Sequence, residues 1–344
     1  MKVGIVGFPG TGKSTVYTAL TGAAAATKSV ALGTVKVPDP RLDELAGLYN
    51  PRKTTAAEVV FADLPGGGGE RGITAATLGQ MRDLDLLAQV VRGFPGPGGE
   101  SPDPVREIDD LEAELQLADL ELIERRLARF AKGDKSERPG ERALLEQFHG
   151  MLEQGQSLRL RPPLSEQEKA ALTGTSLLSL RPVLYVLNVD EAHAQAAAPP
   201  ALQQRAEAAA GLIVVLAGLI EAEIAQLEPA DRAAFLADLG LESSARDRFV
   251  AAAYARLELI SFFTTGPDEV KAWTIRRGTP AVEAAGKIHS DLQRGFIRAD
   301  VTAYGELVSR KGDEAACKKA GVTRKEGKTY VVQDGDILTV HFNV

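Results

Sequence analysis

The sequence has little of what a secreted, membrane-spanning or fibrous protein needs. Its 344 residues include one cysteine, Cys317, so an internal disulfide cannot form, which is typical of a reducing compartment. No run approaches the roughly eighteen apolar residues of a membrane-spanning helix. Met1 and Lys2 lead directly into a strand-like apolar run, without the layout of a cleavable signal. We therefore expect a cytoplasmic location and no association with a membrane.

The composition is that of an ordinary globular protein with ample core material. Apolar residues make up 44%, charged residues 25% and aromatic residues only 5%. The length exceeds the roughly 250 to 300 residues at which one hydrophobic core stops growing, so more than one domain is expected. The net charge is −7, and residues 261–344 are slightly basic, with 13 Lys and Arg against 11 Asp and Glu. This small asymmetry favours a solvated surface over an RNA-binding one.

The clearest motif lies near the start of the chain. Residues 7–14 fit G-x-x-x-x-G-K-[ST] and lie between a predicted strand at 3–6 and a helix predicted from Lys13 to Leu20, which is the context that this motif requires. Such a loop turns backbone N–H groups toward phosphate oxygens, while its lysine contacts the β and γ phosphates. We predict that a nucleoside triphosphate is bound by Gly7, Pro9, Gly10, Thr11, Gly12, Lys13, Ser14 and Thr15.

A second element follows the predicted strand at 58–62. Asp63-Leu64-Pro65-Gly66 fits the D-x-x-G pattern of switch-type nucleotide hydrolases. In such a site Mg²⁺ bridges the phosphate oxygens and is held by the hydroxyl of the P-loop serine or threonine and by an aspartate. We therefore predict Ser14 and Asp63 as magnesium ligands. Lys13 and the Gly66 amide are predicted to act catalytically, at the γ-phosphate.

Alternating strands and helices predict a parallel sheet covered by helices, with two further buried strands at 183–187 and 212–216. Apolar steps of three and four predict an inserted antiparallel helical hairpin between them. We predict a nucleotide-binding domain at 1–106 and 181–260, the hairpin at 107–180, and a small α+β domain at 261–344. In that last domain, Thr279-Pro280 predicts a helix start, and Asp334-Gly335 predicts a tight hairpin turn.

The strand at 183–187 ends in Asn188-Val189-Asp190-Glu191, where a GTPase carries N-K-x-D. This N-x-x-E variant, together with several other segments, resembles the YchF or Obg-like ATPases over nearly the whole chain. The matching segments are 4–7, 37–42, 90–92, 115–120, 221–224, 262–266, 270–274, 295–299 and 333–336.

The resemblance implies a P-loop NTPase sheet with helices on both faces, the inserted hairpin, and a β-grasp TGS-like C-terminal domain. It also implies that the chain binds ATP in preference to GTP, together with Mg²⁺, and hydrolyses it slowly as a switch. The ribosome or ribosomal RNA is the implied partner. The implied base-binding residues are Asn188, Val189, Glu191, Leu216, Ala217 and Gly218. Counting back from Gly33 places Thr27 at the family's magnesium-binding threonine.

Two departures from the family pattern bear on hydrolysis. Just after D-x-x-G, typical NTPases of this class carry a glutamine and Obg-like ATPases a hydrophobic residue, whereas this chain has Gly67. The resemblance also implies a histidine in the loop after residues 90–92, but residues 92–104 contain none. A nucleotide-gated ribosome- or RNA-binding module with little or no hydrolysis therefore stays open. A conventional GTPase is a further alternative, because a glutamate at 191 can still accept hydrogen bonds from guanine.

Overall fold

The computed structural model describes residues 1–25, 30–65 and 73–343. They form two compact units, one made of Met1–Val35 with Val60–Arg256 and the other of Lys36–Val59 with Leu257–Val344. Segment 36–59, which the sequence assigned to the nucleotide domain, thus belongs to the unit that contains the C-terminal residues. The expected division into three functional parts stays a prediction. No helix in the described ranges is long and apolar enough to cross a membrane.

The first unit is built on a sheet whose strands lie in the order β2-β4-β1-β5-β6-β7. The strands are β1 (Lys2–Val6), β2 (Ala31–Lys36), β4 (Glu58–Asp63), β5 (Leu86–Arg92), β6 (Val183–Asn188) and β7 (Leu212–Leu216). The pairings of β1 with β4 and β5, of β5 with β6, and of β6 with β7 are all parallel. Their carboxyl ends therefore meet at one edge, where α/β proteins place ligands.

Helices cover both faces of this sheet, as the sequence predicts. They are α1 (Lys13–Thr21), α3 (Ala75–Met81), α4 (Pro104–Ala131), α7 (Pro200–Ala208), α8 (Gly218–Gln226), α9 (Pro229–Asp238) and α10 (Ala245–Arg256). On one face, Leu87 and Tyr185 pack in a cluster with Ile108 of α4. On the other face, the ring of Phe61 packs edge-on against that of Phe249 of α10, with 5.3 Å between the ring centroids. Burial on both faces explains why β6 is a continuous apolar run from Val183 to Leu187.

The inserted hairpin has the predicted antiparallel form. After α4 the chain turns at 132–140 and returns as α5 (Glu141–Glu153), followed by the short α6 (Glu166–Ala171). The Gly140 N-cap has φ of 78°, a left-handed conformation that glycine adopts without strain. The far half of α4 packs on α5 through a separate apolar cluster that includes Ile123, Phe130 and Phe148.

The second unit contains a mixed sheet in the order β11-β10-β12-β8-β9-β3. Its strands are β3 (Lys53–Thr55), β8 (Leu259–Thr264), β9 (Glu269–Arg276), β10 (Phe296–Ala303), β11 (Arg324–Glu326) and β12 (Asp336–Phe342). The helices of this unit are α2 (Pro40–Tyr49), α11 (Ala281–Ile288), α12 (Ser290–Arg294), α13 (Tyr304–Ser309) and α14 (Glu314–Lys319). Segment 36–59 joins the unit because β3 pairs in parallel with β9.

One local prediction in this unit is wrong, and another is displaced by one residue. The Asp334-Gly335 turn exists, but it does not close a hairpin, because β12 pairs with β10 and β8 while Val331 forms only an isolated bridge to Pro280. The helix predicted at Thr279-Pro280 is present but begins one residue later, at Ala281. Pro280 is its N-cap, and the Thr279 hydroxyl donates to the Arg276 carbonyl instead of capping the helix. Turn-forming residues indicate where a chain bends but not which strand pairs next.

Candidate nucleotide-binding site

The loop from β1 to α1 has a conformation that requires glycine. Gly7, Gly10 and Gly12 have φ of 140°, 82° and 84°. A Cβ on Gly7 would lie 2.5 Å from the carbonyl oxygen of Val90, and one on Gly12 would lie 2.2 Å from Asn188 Nδ2. At Gly10 a Cβ would meet no atom within 4 Å in the described part of the chain. The loop is thus held tightly at both ends and is open at its middle.

Lys13 supplies the positive charge of this loop. Its side chain is buried, and Nζ donates a 3.0 Å hydrogen bond to the carbonyl of Phe8, which also accepts from Thr11 Oγ1 at 3.0 Å. Burial lowers the pKa of Lys13, while the negative charges of Asp63 and Glu107 oppose that shift. A partly desolvated ammonium at the first residue of α1, where the helix dipole also favours anions, suits the binding of phosphate.

Ser14 and Asp63 come together as the sequence predicts. Ser14 Oγ donates to Asp63 Oδ2 at 3.1 Å, whereas Asp63 Oδ1 is buried and has no hydrogen-bond partner in the described ranges. Burial raises the pKa of Asp63, and the Ser14 hydrogen bond and the Lys13 charge oppose this. An unpaired buried carboxylate oxygen is costly unless a cation or a donor reaches it.

This pair of oxygen groups fits Mg²⁺, which prefers oxygen ligands and usually takes one or two from the protein beside water and phosphate. Within the described residues, no group of three or more His, Cys, Asp or Glu side chains could hold a metal ion alone. Phosphate oxygens and water would therefore have to complete the coordination of an ion at Ser14 and Asp63. The other predicted ligand, Thr27, and the predicted catalytic residue Gly66 lie outside the described residues.

Asn188, at the end of β6, joins three segments of the site. Its Nδ2 donates to the carbonyl of Thr11 at 2.9 Å, and its Oδ1 accepts from the backbone N–H of Gly218 at 3.0 Å. A Cβ on Gly218 would lie 2.6 Å from that Oδ1, so glycine is required there as well. The asparagine side chain is therefore a buried brace between the phosphate loop and the start of α8.

The other predicted base-binding residues lie on either side of this brace. The Val189 N–H donates to the Leu216 carbonyl at 2.8 Å, and Ala217 is buried beside them. Asp190 caps the short turn Glu191–His193, with its carboxylate accepting from the backbone N–H of His193. Glu191 is exposed. Of the two carboxylates in this motif, Glu191 is thus the one that is not used in capping the turn.

One acidic residue near the site was missed by the sequence analysis. Glu107, in the first turn of α4, accepts a 2.9 Å hydrogen bond from the backbone N–H of Arg92, and its charge acts on Lys13. Burial raises the pKa of Glu107, and the Arg92 N–H opposes this shift. Pro104 at the helix start and an acidic first turn are visible in the sequence, but the approach of α4 to the end of β5 is not.

Comparison with known proteins covers the whole chain. The family model described as "50S ribosome-binding GTPase" matches residues 2–126, and the YchF-GTPase_C model, described as "Protein of unknown function", matches residues 259–343. "Ribosome-binding ATPase YchF" of Escherichia coli O157:H7 is 38% identical, over 100% of this chain and 99% of its own length. The protein of the same name from Bacillus subtilis is 37% identical, over 100% of both chains. The chain belongs to the YchF and Obg-like ATPase family.

A more distant relative and two solved structures are also similar to this chain. "Obg-like ATPase 1" of Oryza sativa is 34% identical over 100% of this chain and 92% of its own length. The structure of the Schizosaccharomyces pombe YchF GTPase matches with a TM-score of 0.84 at 28% identity, covering 99% of this chain and 97% of that one. A GTP-binding protein from Pyrococcus horikoshii shares the fold, with a TM-score of 0.64 at 19% identity and full coverage of both chains. Within the YchF family the expected fold class is thereby confirmed, whereas the ligand roles of individual residues stay predictions.

Proposed function

We propose that this YchF-family chain is a ribosome-associated ATPase that binds ATP with Mg²⁺ at its phosphate loop and hydrolyses it slowly as a switch. The observation that carries the proposal is the Ser14–Asp63 pair beside Lys13. At the carboxyl ends of the parallel strands lie a hydroxyl, a carboxylate with one unpaired buried oxygen, and the ammonium of a buried lysine. These are the groups that a magnesium–triphosphate complex requires.

Several groups of the loop would bind the triphosphate together. The Lys13 ammonium would exchange the Phe8 carbonyl, its 3.0 Å partner, for phosphate oxygens. Backbone N–H groups of the loop would donate to the same anion, and the N-terminal end of α1 would stabilise it. Ser14 Oγ and Asp63 would hold Mg²⁺ directly or through water. When bound, that ion would neutralise charge on the phosphate oxygens.

ATP is the proposed substrate because the base motif lacks the groups that read guanine in a GTPase. Val189 replaces the lysine whose stem would lie along the base, and Glu191 replaces the shorter aspartate. The relatives from Escherichia coli and Bacillus subtilis are named ATPases. The association with ribosomes is proposed because the same relatives carry the name ribosome-binding ATPase.

Turnover and binding measured with both nucleotides test the proposal. We expect tighter binding and faster hydrolysis of ATP than of GTP, dependence on Mg²⁺, and cosedimentation with ribosomes. Lys13→Ala should abolish nucleotide binding, and the exposed Lys36→Ala serves as a matched control. Equal or better affinity for GTP would reverse the base assignment and favour a conventional GTPase. Absence of cosedimentation in every nucleotide state would remove the ribosome from the proposal.

A second candidate is a nucleotide-gated binding module with little or no hydrolysis. It is favoured by Gly67 and by the absence of histidine from residues 92–104, since these leave no side chain at the usual positions to orient the attacking water. Single-turnover kinetics separate the two functions. If Lys13→Ala abolishes binding while the unmodified chain shows no turnover even with ribosomes, the module replaces the enzyme.

A further inference from the structure

The helical insert contains a cationic cavity that plays no part in the nucleotide site. It has a volume of about 530 Å³ and lies between the far end of α4, the turn that follows it, and the turn at 173–175. Its lining combines guanidinium and hydroxyl groups: Arg125, Arg126, Arg129, Arg138, Thr173 and Thr175. We call this cavity the arginine pocket.

The positive charge of the arginine pocket is only partly neutralised. Two carboxylates contact its arginines: Glu141 accepts from Arg126 at 2.9 Å, and Asp134 lies 3.3 Å from Arg126 and 3.1 Å from Arg129. Arg138 reaches Glu141 only at 3.9 Å. Within the described residues, the four guanidinium groups of the lining are in direct contact with two carboxylates, and the charge of Glu137 also acts on Arg126, so positive charge still exceeds negative charge at this cavity.

Two of these arginines keep donors free for a ligand. In the described residues, the hydrogen bond of Arg125 runs from Nε to the Glu121 carbonyl at 3.1 Å, and its side chain is exposed. Arg129 pairs through one terminal nitrogen, and 66% of its side chain is exposed. Each guanidinium carries five N–H donors in a fork that matches phosphate oxygens. Arg126, in contrast, uses its donors in hydrogen bonds to Glu141, Asp134 and Ser136, so its role is structural.

The lining distinguishes between phosphate ligands. Among the described residues, it has no aromatic ring on which a base could stack and no side-chain amide of the kind that reads adenine. The nearby Phe130 ring is covered by two guanidinium groups, whose central carbons lie 4.6 Å (Arg126) and 5.5 Å (Arg142) from the ring centroid. A free nucleotide would find no aromatic platform for its base among these residues. Contacts confined to phosphate oxygens are instead how proteins hold a nucleic-acid backbone without reading its sequence.

We propose that the arginine pocket binds the phosphate backbone of RNA independently of sequence. This inference rests on the proposed function in one respect: the proposed ribosome association is the reason for choosing RNA as the source of the phosphate groups. The pocket is also separate from the nucleotide site. Glu107, whose charge acts on Lys13, precedes Arg125 on the same helix, and at about 1.5 Å per residue the two lie about 27 Å apart along α4.

The test compares two double variants that lose the same charge. Arg125→Ala/Arg129→Ala removes the two exposed guanidinium groups of the pocket. Arg106→Ala/Arg142→Ala removes two arginines that lie outside the pocket lining. Binding of a fluorescein-labelled oligouridylate and of an unrelated labelled RNA hairpin is measured by anisotropy over a salt series. We expect the pocket variant to lose about tenfold or more in affinity for both RNAs, and the slope of log Kd against log salt to fall by about 2. The control variant should stay within about twofold.

Each other outcome overturns the proposal. Equal losses in both double variants would mean that net charge alone attracts RNA, and no loss in either would leave the pocket without a role in RNA binding. The alternative ligand is a small phosphate anion, which is tested by titrating tripolyphosphate into the Lys13→Ala variant, whose nucleotide site is disabled. If tripolyphosphate binds to the arginine pocket and RNA does not, the pocket is a site for a small anion. ATP turnover, expected to be unchanged in Arg125→Ala/Arg129→Ala, is independent of all three results, so failure here is distinguishable from failure of the proposed ATPase.

Discussion

The side-chain amide of Asn188 donates a 2.9 Å hydrogen bond to the carbonyl of Thr11, from a residue that is only 4% exposed. Its oxygen accepts from the Gly218 N–H. The first residue of the base motif is thus a structural link between the phosphate loop and α8. Nucleotide affinity should depend on this link even if Asn188 never touches the ligand.

Asn188→Ala should therefore weaken ATP binding by about tenfold to a hundredfold, because it leaves a buried carbonyl and a buried N–H unpaired at about 1–3 kcal/mol. Asn188→Asp is a second comparison: it keeps the acceptor for Gly218 but places a charged carboxylate oxygen against the Thr11 carbonyl, so it should weaken ATP binding at least as much as the alanine variant does. Titration with a fluorescent ATP analogue measures both. If the alanine variant binds ATP normally, the loop holds its shape without the brace.

A second prediction concerns glycines 10 and 12, which have nearly equal φ of 82° and 84°. Alanine at either position costs about 1–2 kcal/mol in backbone strain. Gly12→Ala additionally places a Cβ at 2.2 Å from Asn188 Nδ2, whereas Gly10→Ala meets no described atom within 4 Å. We expect Gly12→Ala to be less stable than Gly10→Ala by about 1–3 kcal/mol in urea unfolding of the nucleotide-free protein. Equal midpoints would mean that Asn188 moves aside freely.

A third prediction separates stability from function at Asp63. Burial raises the pKa of this carboxyl, so the folded chain binds a proton there at higher pH than the unfolded chain does. The free energy of unfolding therefore falls as pH rises from the ordinary value near 3.8 through the raised pKa. Asp63→Asn removes this cost, and the nucleotide-free variant should melt no lower than the unmodified chain at neutral pH.

The same variant should lose the gain in ATP affinity that Mg²⁺ provides, because a neutral amide replaces the carboxylate with the unpaired oxygen. The exposed Asp83→Asn makes the same charge change away from the site and should keep the Mg²⁺ effect. Melting curves and ATP titrations with and without Mg²⁺ give both readouts. A full Mg²⁺ effect in Asp63→Asn would exclude this carboxylate as a ligand.

The sequence predicted what local rules determine. The phosphate loop follows from glycine spacing between a strand and a helix, and the pairing of Ser14 with Asp63 follows because parallel strands end at one edge. Long-range placement was not predictable in the same way. Strand β3 joins β9 across more than two hundred residues, and nothing within Lys53–Thr55 indicates that partner.

The same limit explains the wrong hairpin prediction in the second unit and the missed acid near the site. Asp334 is a typical turn residue, yet its carboxylate accepts from Arg41 at 3.0 Å and from the Ser261 N–H at 3.0 Å, so tertiary contacts decide the path of the chain there. Glu107 acquires its position only when α4 packs on β5. Motif spacing identifies a site, but packing selects the side chains that surround it.

The final prediction concerns Glu141, which holds the closed end of the helical hairpin. It is fully buried and accepts from Arg126 Nε at 2.9 Å, from Arg126 Nη2 at 3.2 Å and from the Arg138 N–H at 3.0 Å. Glu141→Gln keeps the shape but removes the charge and turns an amide donor toward other donors. We expect a loss of about 3 kcal/mol in urea unfolding.

Glu137→Gln is the matched control, because Glu137 forms an exposed pair with Arg142 at 2.7 Å, and such pairs contribute about 0–1 kcal/mol. ATP turnover should be retained by both variants, since neither residue is near the phosphate loop. If the two variants unfold at the same urea concentration, the apolar cluster around Phe130 and Phe148 holds the hairpin by itself. A selective loss in Glu141→Gln would instead mean that the buried ion pair fixes the turn, and with it the spacing of the arginines that line the pocket.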